Sequence, residues 1–407
     1  MSDWRAVDGP GRAIASSRRN RRITRHALNA LVAAISVACT YLIIEFVFFR
    51  ILLPHVSLNL TTHLPDIAGV LVQNSKAGFV PHDYVALLGD SYAEGVGDWL
   101  LQAHGNRTKP FHSGNVIHAT TGRDVVSFGR VGTGSAEAIV SRPARIYAGT
   151  ECYLFPNMEA PRDMFVYFYE GNDIEDNSAF VARVASHEGN ASESSIDRFL
   201  AEDYASVSRW KCHTYLADTM VRMSKFLFQY YVEGVTFELD PRRENALVVA
   251  GQTVWTPPFH GPALRYSEDQ IGAAIGVLGR SLAWLKRRFP GVPTTVVYIP
   301  SPASIYRFAG DTVVAGTGRQ PGAAAPLALV AQHSDLMCRL VRTQALNQDA
   351  SFLDTRPALR AAAQTRLIHG PVDWFHFNEA GYRALGKLVV DRLQGRPGVE
   401  SCSVAMH

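Results

Sequence analysis

Five short apolar runs recur along the chain, and each ends at or next to Gly, Pro or Asp. They lie at residues 84–88, 124–128, 164–169, 294–299 and 351–353. Short runs without polar interruption are typical of strands that are covered on both faces, as in a parallel sheet. The pattern therefore predicts five buried parallel strands.

Helical periodicity separates the later runs. Between residues 268 and 288, apolar residues recur at spacings of three and four, and the segment ends in basic residues. Ser267 and Gln270 form a capping-box pattern at its start. A second helix is expected over 381–393, begun by Asn378. Strands alternating with helices predict a three-layer α/β/α fold.

A longer apolar run at residues 27–49 is too long for a strand and indicates a helix. As a helix its 23 residues would span about 35 Å, enough to cross a hydrocarbon core of roughly 30 Å. Glu45 inside the run favours the alternative, a buried helix of a soluble protein. Seven arginines precede the run: Arg5, Arg12, Arg18, Arg19, Arg21, Arg22 and Arg25. Arginine-rich flanks stay in the cytoplasm, which predicts a single-pass inner-membrane protein with residues beyond about 55 in the periplasm.

Turn motifs follow three of the predicted strands. Ser91 comes after the first strand, within Gly-Asp-Ser, a glycine-rich turn with Gly132 comes after the second, and Asn172 comes after the third. Far along the chain stands Asp-x-x-His, with Asp373 and His376. A serine nucleophile needs a base and a group that orients the base, and Asp-x-x-His supplies both. Each motif alone is also common at ordinary turns.

Together these motifs resemble the four blocks of the SGNH (GDSL-type) hydrolase superfamily. The resemblance implies a Ser91, His376 and Asp373 triad, an oxyanion hole made by Ser91, Gly132 and Asn172, and strand order 2-1-3-4-5. It implies no cofactor and no metal. Two features depart from the family pattern. Ser127 stands where many members carry Asn, with Gly129 as a rival to Gly132 for the backbone donor. Glu170 stands where glycine is frequent, and we expect it to face solvent.

The predicted organisation has six parts. They are a cytoplasmic basic tail (1–26, expected to be disordered), a transmembrane helix (27–53), a linker (54–82), a catalytic domain (83–396), an insertion in that domain (about 178–266) and a C-terminal tail (397–407). We interpret the insertion as a cap beside the site. Its aromatic residues would either pack in the core or stack against sugars: Phe226, Phe228, Tyr230 and Tyr231.

Apart from Cys39, four cysteines allow up to two disulfides in three connectivities or four free thiols: Cys152, Cys212, Cys338 and Cys402. The net charge of +3 is small for 407 residues and gives no indication of nucleic-acid binding.

An outward-facing, membrane-tethered domain of this kind is similar to bacterial exopolysaccharide and alginate O-acetyltransferase proteins. The resemblance implies acyl transfer through Ser91 to a polysaccharide, with a multi-spanning membrane acyltransferase as a candidate source of the acyl group. Two alternatives stay open: a carbohydrate esterase or deacetylase, and a non-catalytic scaffold in a polysaccharide export assembly.

Overall fold

The computed structural model describes residues 11–52, 64, 66–98, 112–150, 158–208, 216–228, 239–317 and 320–402. The chain forms two compact units, Met1–Leu52 and Leu53–His407.

The first unit is a helix, α1 (Gly11–Val47), followed by a π-helical turn at Phe48–Leu52. Its stretch Thr24–Val47 is long and apolar enough to cross a membrane. The helix begins at Gly11, so the expectation of a disordered tail up to residue 26 is wrong from that residue onward. Ala and Arg are good helix formers, and they extend a helix that the apolar run has already nucleated.

The second unit contains a five-stranded parallel sheet. Its strands are β1 (Val85–Leu88), β2 (Val125–Ser127), β3 (Asp163–Tyr169), β7 (Thr294–Ile299) and β11 (Ser351–Asp354). They lie in the order β11-β7-β3-β1-β2, and all neighbours are parallel. The predicted α/β class and the predicted strand order are both confirmed.

Helices cover both faces of this sheet. On one face, Val85, Leu87 and Phe165 share a core with helices α4 (Ser113–Thr121), α12 (Arg356–Thr365) and α13 (Glu379–Leu393). Successive strand side chains point to opposite faces, so Ala86 and Val166 face the other layer.

That second layer contains α9 (Glu268–Arg288), which packs against α6 (Asp173–Glu188) and α11 (Leu327–Asn347). The predicted capping box of Ser267 and Gln270 is present at the start of α9. Among the described residues of the second unit there are six further helices: α2 (Asp66–Leu71), α3 (Ser91–Glu94), α5 (Arg142–Thr150), α7 (Glu193–Ser208), α8 (Leu216–Phe228) and α10 (Pro302–Ile305). A π-helical turn, Ala136–Ser141, leads into α5.

The predicted cap at 178–266 is not one separate element. Helix α7 packs beside α6 and α9, and Arg280 of α9 pairs with Asp197 of α7. These helices therefore complete the covering layer.

The strands of the segment belong to two small sheets, and both sheets also contain strands from chain that lies beyond it. Strands β4 (Asn245–Val249), β5 (Gln252–Thr256) and β8 (Arg307–Phe308) form one small sheet. Strands β6 (Phe259–His260), β9 (Thr312–Thr317) and β10 (Gln320–Pro326) form another. The boundary at 266 is wrong because each of the two sheets includes at least one strand from residues 307–326.

The predicted linker and tail also need correction. From residue 66 the chain belongs to the domain, because Ile67 and Val70 are buried in α2 and the Gln73 side chain bonds to both backbone groups of Ser127. Gln73 thereby covers the edge of β2.

At the other end of the domain, Val399 accepts a backbone hydrogen bond from Asp354, so the described part of the tail packs on the sheet edge. A disulfide joins Cys338 to Cys402, and Cys39 is free. Cys152 and Cys212 lie outside the described residues.

Candidate active site

Ser91 stands where β1 turns into the short helix α3. Gly89 makes the turn with a φ of +146°, and a Cβ there would meet the Tyr167 carbonyl oxygen at 2.8 Å, so only glycine fits. The Asp90 side chain caps α3 by accepting from the backbone N–H of Tyr92. The turn thus holds Ser91 at the carboxyl edge of the sheet, where open α/β folds place their reacting groups.

His376 and Asp373 meet this serine from a loop 285 residues away in sequence. His376 Nε2 lies 2.8 Å from Ser91 Oγ, and His376 Nδ1 lies 2.6 Å from Asp373 Oδ2. The other carboxylate oxygen of Asp373 accepts from the backbone N–H groups of Phe375 and His376. The three predicted triad residues are therefore in hydrogen-bonding contact in the order that proton transfer requires.

Charges within the triad shift both pKa values. Burial opposes ionisation of Asp373, but the neighbouring His376 and the hydrogen bonds outweigh it and lower the pKa of Asp373 to about 2. Burial likewise opposes protonation of His376, yet the Asp373 carboxylate raises the pKa of that imidazole above 6.5. An ionised aspartate facing a basic imidazole is the pairing that activates a serine hydroxyl.

Contacts that the sequence did not reveal hold the His376 loop in place. Asp98 accepts hydrogen bonds from the backbone N–H groups of Val372 and Asp373. Tyr92, next to the nucleophile, donates to the Phe375 carbonyl at 2.7 Å. These contacts tie the base-bearing loop to the segment that carries Ser91. Asp98 lies seven positions after Ser91, and nothing in its local sequence distinguishes it from a solvated turn residue.

The loop with Gly132 lies beside α3. The backbone N–H of Val131 donates to Glu94 Oε2 at 2.7 Å, and Arg130 N–H donates to the Gly89 carbonyl. Gly132 has a φ of +69° and is exposed. Glycine is therefore needed there for its backbone conformation rather than for space, since a Cβ would meet nothing within 4 Å.

Gly129 is a poorer candidate for the backbone donor. Its N–H already donates to Ser127 Oγ at 3.1 Å. A Cβ at Gly129 would collide with the backbone of Glu94. Gly129 is buried and packs the loop against α3, whereas Gly132 is exposed.

Asn172 is the N-cap residue of α6, directly after β3. Its Nδ2 makes only a long contact of 3.4 Å with Asp176, and its Oδ1 has no partner among the described residues. One helical turn later, Asn177 accepts from the backbone N–H of Ser135 at 2.8 Å. This bond joins the Gly132 loop to α6, so the predicted oxyanion residues come from neighbouring segments.

Glu170 does not face solvent, contrary to expectation. It is fully buried, and its carboxylate accepts from Tyr298 Oη, from Ser334 Oγ at 2.8 Å, and from Ser301 N and Oγ at 2.8 and 2.7 Å. The expectation failed because these donors come from β7, the turn after it and α11, far along the chain. A buried carboxylate with four donors is a structural anchor.

His260 is a further neighbour of the triad that sequence reasoning missed. Its ring stacks on Phe375 with centroids 4.3 Å apart, and Tyr169 Oη lies 3.3 Å from its Nδ1. Burial lowers the pKa of His260 to about 3, so the ring is neutral at neutral pH. An isolated His between Phe259 and Gly261 carries no sequence signal for this position.

Metal-ligating side chains cluster at two places in the described part of the chain. Cys338, Asp354 and Cys402 form one group, but both sulfurs are used in the disulfide. The other group is His187, Glu188 and Glu202, in which Glu188 already pairs with Arg198. Neither group includes a triad residue.

No family model and no curated protein sequence matches the chain. Solved structures similar to it include an extracellular lipase from Streptomyces rimosus, with 12% identity over 77% of this chain and 99% of that one and a TM-score of 0.37. A phospholipase A1 from Streptomyces albidoflavus NA297 has 15% identity over 77% of this chain and 98% of that one, with a TM-score of 0.36. An acetyl xylan esterase from Butyrivibrio proteoclasticus has 9% identity over 78% and 64%, with a TM-score of 0.35.

Proposed function

We propose that the domain is a serine acyl-transfer enzyme of the SGNH type that works through an acyl-Ser91 intermediate. The observation that carries the proposal is the unbroken path from Ser91 Oγ through both nitrogens of His376 to Asp373, at 2.8 and 2.6 Å. A scaffold protein has no need of this alignment, nor of an imidazole whose pKa is raised by a partly buried aspartate.

The chemical steps follow from the geometry. Ser91 Oγ attacks the ester carbonyl while His376 Nε2 takes the hydroxyl proton. Negative charge develops on the carbonyl oxygen, where donors aimed in advance are worth about 3 to 4 kcal/mol each. We assign these donors as the backbone N–H groups of Ser91 and Gly132 and the amide of Asn172. His376 then gives its proton to the leaving oxygen, and the acyl group remains on Ser91.

We further propose that a polysaccharide hydroxyl accepts the acyl group. Support comes from the resemblance of the motif blocks to exopolysaccharide and alginate O-acetyltransferase proteins. It also comes from the apolar helix Thr24–Val47, which would hold the domain beside a glycan leaving the membrane. The acceptor must be oriented against the acyl-enzyme to outcompete water at roughly 55 M, which binding can achieve. Esterase or deacetylase activity is the second candidate, and it shares every step up to acyl-Ser91.

Full-length protein in detergent, given an acetyl donor and candidate oligosaccharides, distinguishes the two. Transferase activity predicts acetylated oligosaccharide in the mass spectrum and none with Ser91→Ala. Acetate release that no oligosaccharide alters, together with deacetylation of an acetylated glycan, would establish the esterase instead.

We also propose that the domain faces the periplasm and the N-terminus the cytoplasm, because seven arginines precede residue 27. Reporters fused after Pro54 and after His407 should both be active only if they function in the exported compartment. Activity of a cytoplasm-dependent reporter at both positions would reverse this orientation.

A further inference from the structure

Helix α8 (Leu216–Phe228) exposes large apolar side chains. The exposed fractions are 66% for Val221, 56% for Phe228, 53% for Met220 and 38% for Leu227. One exposed apolar residue is ordinary on a protein surface, but four on one short helix are a feature of the kind that marks an interaction surface.

The spacing places these residues on one side of the helix. Met220 and Leu227 stand seven positions apart, as do Val221 and Phe228, so two helical turns separate the members of each pair and the four side chains form one stripe. We call this stripe the outer face of α8. Thr219 lies on another side of the helix and is fully buried. That side of the helix therefore packs against the protein, while the outer face is exposed.

Charged residues border the outer face on the remaining side. Asp218 pairs with Arg222 at 3.0 Å, one turn apart. Lys225 is exposed on the same edge, and the net charge of that edge is positive because the first two cancel. An apolar stripe with net positive charge along its border is one arrangement of a helix that lies in a membrane interface, where anionic headgroups meet the cation.

We propose that the outer face of α8 inserts into the lipid interface of a membrane. The same chain contains the apolar helix Thr24–Val47, joined to the domain through residues 53–65. The domain is therefore covalently held near whatever membrane that helix crosses, which raises the local concentration of lipid at an exposed apolar surface. The positive charge of this edge favours a membrane with anionic headgroups as the binding partner, rather than an apolar groove on another protein. This inference does not depend on the acyl-transfer chemistry.

Site-directed fluorescence in the full-length protein tests this placement. The protein carries Cys39→Ser and one added cysteine, labelled with bimane, and is reconstituted in phosphatidylcholine and phosphatidylglycerol vesicles with and without brominated acyl chains. Val221→Cys and Leu227→Cys report the outer face. Arg222→Cys, adjacent in sequence but on the charged edge, is the matched control, and label on the protein without an added cysteine is subtracted.

Insertion predicts that brominated lipid quenches the labels at 221 and 227 at least threefold more than the label at 222. Aqueous iodide should show the reverse order. Equal, weak quenching by brominated lipid at all three positions would overturn the proposal. This holds both if iodide reaches the labels on the outer face and if protein shields them from iodide. Two independent outer-face positions guard against one variant that fails to fold, and circular dichroism confirms the fold of each.

Discussion

Two groups of polar residues lie at the carboxyl edge of the sheet, and they differ in how fully their hydrogen bonds are made. Beyond β3, β7 and β11, Glu170 has four donors, and the fully buried Arg356 donates to Asp354, to Asp335 and to the Cys402 carbonyl. In the other group, Ser91 after β1 contacts His376, while the Oδ1 atom of Asn172, which follows β3, lacks a partner among the described residues.

The difference separates structure from reactivity. A fully bonded network holds its members in one arrangement, and any change leaves a charge unsatisfied in a low dielectric. In the second group a carboxylate, an imidazole and a hydroxyl form a chain in which a proton can move. We call the first the Glu170–Arg356 network and the second the triad. The comparison predicts that substitutions in the triad remove activity and that substitutions in the network remove stability.

The largest expected effect is on turnover. Ser91→Ala and His376→Ala should each lower hydrolysis of an activated acetyl ester by about 10⁴-fold, and the double variant should be no worse, because the two residues act as one unit. Steady-state assays on protein with an unchanged melting temperature measure this. Strictly additive losses would show that the pair does not act together.

A substitution in the Glu170–Arg356 network is expected to lower the stability of the protein. Glu170→Ala removes the carboxylate that accepts from Tyr298, Ser301 and Ser334. Breaking a buried charged network costs about 3 kcal/mol of unfolding free energy. Chemical denaturation measures the loss. Arg383→Ala is the matched control, because its pair with Glu379 is half exposed and contributes less than about 1 kcal/mol. Equal stabilities of the two variants would show that the buried network contributes no more to stability than an exposed ion pair does.

The pH dependence sharpens the account of the triad. His376 must be neutral to accept a proton, and its pKa is raised above 6.5 by the Asp373 carboxylate. Activity should therefore rise with pH through that raised pKa and be lost below it. In Asp373→Asn the cause of the shift is gone, so the midpoint should move to lower pH while the rate falls by at least about 100-fold. A midpoint that stays in place would mean that another group sets the profile.

A matched pair of glycines gives the smallest effect. Gly132 and Gly122 have φ values of +69° and +70°, and in both a Cβ meets nothing within 4 Å. Alanine at either position should cost about 1 kcal/mol of stability for the left-handed backbone. Ester turnover should fall at least tenfold only in Gly132→Ala, because that loop carries the assigned donor. Equal turnover in the two variants would exclude Gly132 from the oxyanion site.

The elements that could be predicted are those marked by a pattern in the local sequence. The buried strands were recognisable because each is a continuous apolar run, and α9 was recognisable from its capping box. The hairpin of β9 and β10 was missed because Gln320–Pro326 is rich in Ala, Gly and Pro, which do not favour strands. Its pairing with β9 across a register shift, together with the pairing of β6 with β9, supplies what propensity does not.

Long-range polar contacts were the other failure. Glu170 looked solvated because its donors at 298, 301 and 334 lie 128 to 164 residues away. The roles of Asp98 and His260 were hidden for the same reason, since each acts on a loop near residue 373. The triad itself could be assembled only because its motif types occur together in one order, as in the superfamily that the sequence resembles.

The central claim is that the acyl group resides on Ser91 between donor and acceptor. Full-length protein mixed briefly with an activated acetyl ester, quenched in acid and digested should give a peptide containing Ser91 that is heavier by one acetyl group. The adduct should be absent from Ser91→Ala and from protein incubated until the ester is consumed. Steady turnover without any adduct on Ser91, or an adduct elsewhere that persists in Ser91→Ala, would contradict the account.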